Sequence, residues 1–212
     1  MDGLDLLKKN WKKQEDNLPH LSYDDIYKML WKKSSSIVKW IFIISIIEFL
    51  LGTLLSIVLA DKEYWQQMET LHLKKFMIFA EAVSYPITLY FIYRFYRNYR
   101  KISSTDSASK LMKDILKTRK TVKFYIAYVL ISIAIITMVS IYILMHYHVL
   151  EVNANEASKY VFDTVDWIKM IAILSIALIL LLGVIWLFYK LLYGILLKRL
   201  NRNYKELKNL DV

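Results

Sequence analysis

Residues 124–147 read FYIAYVLISIAIITMVSIYILMHY, a stretch without one Asp, Glu, Lys or Arg. At ~1.5 Å rise per residue it makes a helix long enough for the ~30 Å hydrocarbon core of a bilayer. A helix on the surface of a soluble bundle would carry charge along its outer face. Three further apolar runs follow the same pattern, at about Ile37–Ala60, Phe76–Phe95 and Ile168–Tyr189. Together the four windows hold 90 residues and only five charges, Lys39, Glu48, Glu81, Arg94 and Lys169. The other 43 charges lie in the remaining 122 residues. That segregation predicts four transmembrane helices. The first run begins only near residue 37, after a charged segment, and no small-residue cleavage site follows it, so it reads as a retained span.

Composition agrees. The chain of 212 residues is 57% hydrophobic with 4 Gly and 2 Pro, which leaves few residues suited to tight turns and favours long helices over sheet. The absence of Cys excludes disulfides, thiolate metal sites and a cysteine nucleophile. The net charge of +10 has to be partitioned before it can be read. Residues 1–36, Lys39, residues 94–123 and residues 190–212 carry 24 of the Lys and Arg residues. The other two connections carry five, Lys62, Lys74, Lys75, Lys159 and Lys169, beside seven acids. By the positive-inside rule both termini and the central loop face the cytoplasm. The basic surface thus reports orientation and attraction to the anionic inner leaflet, and direct nucleic-acid binding is not expected.

The predicted fold is all-α: a four-helix transmembrane bundle, N-in and C-in, with short cytoplasmic amphipathic helices, in a bacterial inner membrane. Residues 1–36 form a helical cytoplasmic segment. Residues 37–192 form the four-span region, with spans at about 37–60, 76–95, 124–147 and 168–189 and a cytoplasmic loop over 96–122. Residues 193–212 form a helical tail. In the N-terminal segment Leu4, Leu7 and Trp11 make one short stripe, and Pro19 ends that helix. Ser22-Tyr-Asp-Asp25 resembles a capping box, so Ser22 starts a second helix with Tyr23, Ile26, Tyr27 and Leu30 as its apolar stripe. A stripe beside lysines reads either as a membrane-surface helix or as a ridge docked to another protein. A Ser-rich break over 103–109 precedes a helix from Lys110 that leads into the third span. Beyond the fourth span, Tyr189, Tyr193, Leu196, Leu200, Asn203, Leu207 and Leu210 alternate in steps of four and three. That is a heptad seam, fit for a homo-oligomer over 189–210 or for a basic tail lying on lipid.

Two acids lie inside the apolar runs. Glu48 shares a face with Ser45, Gly52 and Ser56, and Glu81 shares one with Ser84 and Thr88. Glu48 lies near the middle of its run and Glu81 about one third of the way into its own from the outer side, which puts their depths ~5 Å apart. A carboxylate at mid-membrane costs ~3 kcal/mol on insertion scales, so each should face the bundle and find a partner. One reading is a proton-binding pair or small cation site, hence a small transporter or channel. The other is interhelical glue, each carboxyl bonded to a Ser, Thr or Tyr across the interface. His72, His146 and His148 lie at the outer face near Glu69 and Glu151, but residues two apart on a helix diverge, so an interfacial polar role is favoured over zinc or copper. No metal or cofactor is expected. GxSxG, HExxH, Walker A and GxGxxG are absent, and the outer connections are too short to fold a domain. An enzyme is not expected, an intramembrane enzyme on lipid or isoprenoid being the remaining alternative of that class.

The stretches Leu4-Asp-Leu-Leu-Lys-Lys-Asn-Trp11-Lys-Lys-Gln14 and Leu21-Ser-Tyr-Asp-Asp-Ile26-Tyr-Lys-Met-Leu30-Trp-Lys-Lys33-Ser-Ser-Ser36 resemble uncharacterised small membrane proteins of Bacteroidetes and flavobacteria. Those open with LxxxWxxQ and carry Lys-Lys-Ser-x-Ser before their first span. The resemblance covers roughly residues 1–50. Some shorter members are taken as anti-sigma-like regulators and some longer ones carry a carotenoid-oxygenase label. The apolar stripes concentrated in the cytoplasmic segments predict a non-enzymatic regulatory or scaffold protein that docks a cytoplasmic partner through Leu4, Leu7, Trp11, Ile26 and Leu30, and the resemblance offers a sigma factor as one candidate partner. The chain lacks the zinc-binding His/Cys set and the periplasmic domain of well-understood anti-sigma factors. Its four His residues, split across the predicted membrane, contradict the oxygenase label.

Overall fold

A computed structural model describes residues 22–154 and 164–210. It contains five helices: α1 (Tyr23–Leu59), α2 (Lys62–Thr70), α3 (Lys74–Ser103), α4 (Ala108–Ala154) and α5 (Thr164–Leu210). Four of them, α1, α3, α4 and α5, are long and apolar enough to cross a membrane. The protein is a multi-pass α-helical membrane protein. Each long helix packs on the next around a ring, α1 against α3, α3 against α4, α4 against α5 and α5 back against α1. Such an up-and-down order needs only short connections between antiparallel neighbours.

The helices outrun the membrane because nothing in the sequence stops them. α1 starts where Ser22 caps it: the Ser22 side chain accepts from the Asp25 N–H at 3.2 Å, and the Asp25 carboxylate accepts from the Ser22 N–H at 3.3 Å. From there α1 runs 37 residues, about 55 Å at ~1.5 Å per residue, beginning well before its apolar window and ending at Leu59. α4 and α5 each run 47 residues. The short helix α2 was not anticipated. Asp61 caps it, accepting from the Tyr64 N–H at 2.7 Å, and His72 just beyond it takes a positive φ of 56° to turn the chain into α3. The His72 ring stacks on Tyr147 at 3.9 Å, and His146 packs edge-on to the same Tyr147 ring. No group of three or more potential metal ligands forms among the described residues.

The tightest core is at the basic end, where the long helices extend beyond their apolar windows. Leu30, Val38, Ile102, Leu111, Ile115, Leu200 and Leu207 form one cluster. Ile41, Phe95, Val122, Tyr125, Tyr189 and Tyr193 form a second cluster beside it. The buried residues of α1, Leu30, Ser34, Val38, Ile41 and Ser45, repeat every three or four positions and face the seam of α5. There the buried Asn203 donates to the Ser34 hydroxyl at 3.0 Å. The heptad seam is thus occupied within the chain, with Tyr193, Leu200 and Leu207 fully buried. A homo-oligomer would have to use another surface. The reason is that α1 begins well before its apolar window and lies antiparallel alongside the tail, offering it a matching stripe.

Two aromatic side chains of α1 close this end. Trp31 Nε1 donates to the Ile102 carbonyl at 2.8 Å, and the Tyr27 hydroxyl donates to the Thr105 carbonyl at 3.0 Å. These donors tie α1 to the end of α3 and to the turn just beyond it, adding to the weak backbone bond that Thr105 makes to the Ile102 carbonyl. Burial, followed by the charge of Asp106 and then Tyr23, raises the Tyr27 hydroxyl above the usual tyrosine range and keeps it a donor.

Candidate functional site

Beyond the second cluster, in the membrane region, α1, α3 and α4 draw apart around a cavity of about 390 Å³. That size lies within the ~300–1,000 Å³ usual for ligand sites. Both membrane carboxylates, Glu48 and Glu81, line it.

Glu48 stands at the floor. One carboxylate oxygen accepts from the Tyr189 hydroxyl and the other accepts from the Tyr193 hydroxyl at 3.0 Å. The two tyrosines lie one turn apart on α5 with their rings parallel at 5.9 Å. Tyr125 of α4 sets its edge against both, at 6.1 Å from each. Edge-to-face rings of this kind are favoured by their quadrupoles. The hydroxyls compensate a carboxylate without bringing in a positive charge. They also lie directly over the fully buried Ile41 and Phe95, so the floor is closed towards the basic end.

Glu81 stands at the other end. It accepts a single hydrogen bond from the Ser56 hydroxyl, at 3.3 Å. Ser56 is two turns beyond Glu48 on α1, about 12 Å along the axis. Glu81 thus meets α1 two turns beyond Glu48, further than the ~5 Å difference in depth expected from the sequence, and the two carboxylates mark opposite ends of the cavity. Fractional depths understated the offset: Glu48 is twelve residues from Ala60 and Glu81 five from Phe76, a difference of about 10 Å. An ionised carboxylate offers about four acceptor sites, so Glu81 retains most of its capacity.

Of the stripe residues read from the sequence, Gly52, Ser84 and Thr88 also line the cavity. A Cβ built on Gly52 would meet nothing within 4 Å, so this glycine faces open space. The Thr88 hydroxyl donates to the Ser84 carbonyl at 2.9 Å. Ser45 does not belong to the site. It is buried in α1 and donates to the Phe42 carbonyl at 2.7 Å. Sequence reasoning missed Thr53, whose buried Oγ1 has no hydrogen-bond partner among the described residues and which lines the cavity. It also missed the part played by Tyr125, and by Tyr189 and Tyr193, which it had read as positions of the heptad seam. The available signal was a hydroxyl at a core position, since a buried Tyr O–H needs an acceptor. Among the described residues no Lys or Arg lines the cavity.

The expected docking residues are placed differently. Leu30 is buried and Ile26 packs partly buried against the same cluster, so both face the chain's own core. Leu4, Leu7 and Trp11 lie outside the described residues.

No curated protein and no solved structure matches the chain. A family model matches residues 24–212, nearly the whole bundle with its cavity, and the chain belongs to the family described as a domain of unknown function, DUF8845.

Proposed function

We propose that the protein is a small transporter-like membrane protein that binds a proton or a small cation at mid-membrane, with Glu48 and Glu81 as the binding groups. The observation that carries this reading is that carboxylates from two helices line one cavity whose other polar walls, among the described residues, are hydroxyls with no Lys or Arg. A polar group at that depth is costly, and intramembrane acids mark ion and proton paths when they border a cavity. The two ends differ in kind. Glu48 is held by two tyrosine hydroxyls above a closed aromatic floor, whereas Glu81 has one long hydrogen bond and room to accept more. That arrangement supports a site entered from the Glu81 end and gated at the Glu48 floor. It does not support an open channel. The positive-inside distribution orients the Glu48 floor towards the cytoplasm of a bacterial inner membrane.

A regulatory role through a docked cytoplasmic protein would rest on Leu4, Leu7 and Trp11, because Ile26 and Leu30 are used internally. The cavity is the better-supported reading.

The test is reconstitution into vesicles loaded with a pH-reporting dye, with an imposed membrane potential. Flux should be present for the natural chain and abolished by Glu48→Gln. Proton, sodium and potassium gradients applied in turn identify the species. No flux under any of them removes the proposal.

A further inference from the structure

α3 and α4 run antiparallel, and a groove of about 510 Å³ follows their outer seam. Its walls are mostly apolar, Ile87 and Phe91 from α3 and Phe124, Ala127 and Ile131 from α4, with the rings of Tyr90 and Tyr128 among them. Tyr90 holds Arg94 at the groove's end, its hydroxyl accepting a 2.9 Å hydrogen bond from the guanidinium. Arg94 closes its upper end. From Ile87 to Arg94 is about 10 Å along the helix, within the ~15 Å of one leaflet's hydrocarbon. Above Arg94 the same face of α3 carries Arg97 and Lys101, three and seven residues further on. Across the seam α4 presents Lys117, four residues before Thr121 at the groove's polar rim. There Asn98 of α3 donates to the Thr121 hydroxyl at 3.1 Å, which fixes the register of the two helices.

Lys101, Arg97 and Arg94 all lie close enough to Lys117 to repel it across the seam. None takes part in an ion pair among the described residues. Crowding by Lys101 first, then burial, then Arg97 and Arg94 hold Lys117 below the usual lysine range. Four like charges gathered over an apolar slot are relieved by an anion that also carries hydrocarbon.

We infer that this seam is a specific site for an anionic phospholipid, with one acyl chain in the groove and the phosphate held by Arg94, Arg97, Lys101 and Lys117. Charge complementarity names the headgroup class, and the groove's place directly beneath the cluster selects a lipid over a free phosphate. The inference is independent of what the Glu48–Glu81 cavity carries.

The test is native mass spectrometry of the full chain released from detergent micelles, after addition of dioleoyl phosphatidylglycerol or dioleoyl phosphatidylcholine at equal concentration. The natural chain should retain one phosphatidylglycerol in preference to phosphatidylcholine. Each basic side chain at an anionic surface is worth about 5-fold, so Arg94→Gln with Lys117→Gln should lower phosphatidylglycerol binding on the order of 25-fold. Phosphatidylcholine binding should not change. Ala127→Phe, which fills the groove from an exposed position, should lower binding of both lipids. Lys32→Gln with Lys33→Gln removes two exposed charges on α1 and should leave binding as it was. Equal retention of the two lipids overturns the site. So does an unchanged Arg94/Lys117 or Ala127 variant, or an equal loss in the Lys32/Lys33 control.

Discussion

Ser34→Ala tests the packing of α5 on α1 where it is most exposed to error. Ser34 is fully buried and its hydroxyl accepts from Asn203 Nδ2 at 3.0 Å, in a layer otherwise made of Leu30, Val38, Leu200 and Leu207. Removing the hydroxyl leaves a buried amide donor without a partner, at a cost of about 1–3 kcal/mol. Asn203→Leu should cost less, because the Ser34 hydroxyl can turn back to a carbonyl one turn earlier in its own helix, as Ser commonly does. The double variant replaces both partners with apolar groups and should be close to neutral. The cycle should then show a coupling of about 1–3 kcal/mol between positions 169 residues apart. Equilibrium denaturant unfolding in detergent micelles, followed by circular dichroism and extrapolated linearly, measures it. A silent Ser34→Ala, or a coupling below about 0.3 kcal/mol, would refute the inward placement of the seam. It would return the heptads to the surface, where they could serve a second copy.

Three further outcomes follow from particular contacts. Tyr193→Phe removes one donor from Glu48 and should destabilise the bundle by about 0.6–1.7 kcal/mol, the range found for hydrogen bonds between membrane helices; an unfolding titration in micelles reads it. Thr53→Val replaces a hydroxyl that has no partner and should leave stability unchanged or raised, while vesicle flux falls if that hydroxyl serves the cavity's ligand. The stability Tyr27 contributes is full below the ordinary tyrosine range near ~10 and is lost as pH rises through its raised value. An alkaline titration followed by near-ultraviolet circular dichroism should therefore show loosening of the basic end that Tyr27→Phe abolishes.

Helix existence was legible in the sequence because it depends on local facts. The four apolar windows, the Ser22–Asp25 box, the break before Ala108 and the continuation to Leu210 all correspond to structure. The helix α2 was not read, since its nine residues carry no long apolar period and its cap is a single Asp61. The candidate site was legible in part. A lone acid in an apolar run is conspicuous, so Glu48 and Glu81 stood out with their small polar neighbours. What each acid meets was not legible, because Glu48 finds its donors 141 and 145 residues away.

The sequence by itself determined that this chain is a bundle of four membrane-length helices and which residues in them are out of place in hydrocarbon. Hydrophobic transfer and helix capping act over a few residues and leave their pattern in the chain. Only the tertiary structure decided the pairing of the faces: the α5 seam turned inward onto α1, Ile26 and Leu30 used as core, and the carboxylates set at the two ends of a cavity, Glu81 meeting α1 at Ser56, two turns beyond Glu48. Pairing depends on the axial register and rotation of helices far apart in the chain, and a shift of one residue turns a helix by ~100° and exchanges the faces. No local pattern records that choice. It is fixed by which set of side chains fills the space between all four helices at once.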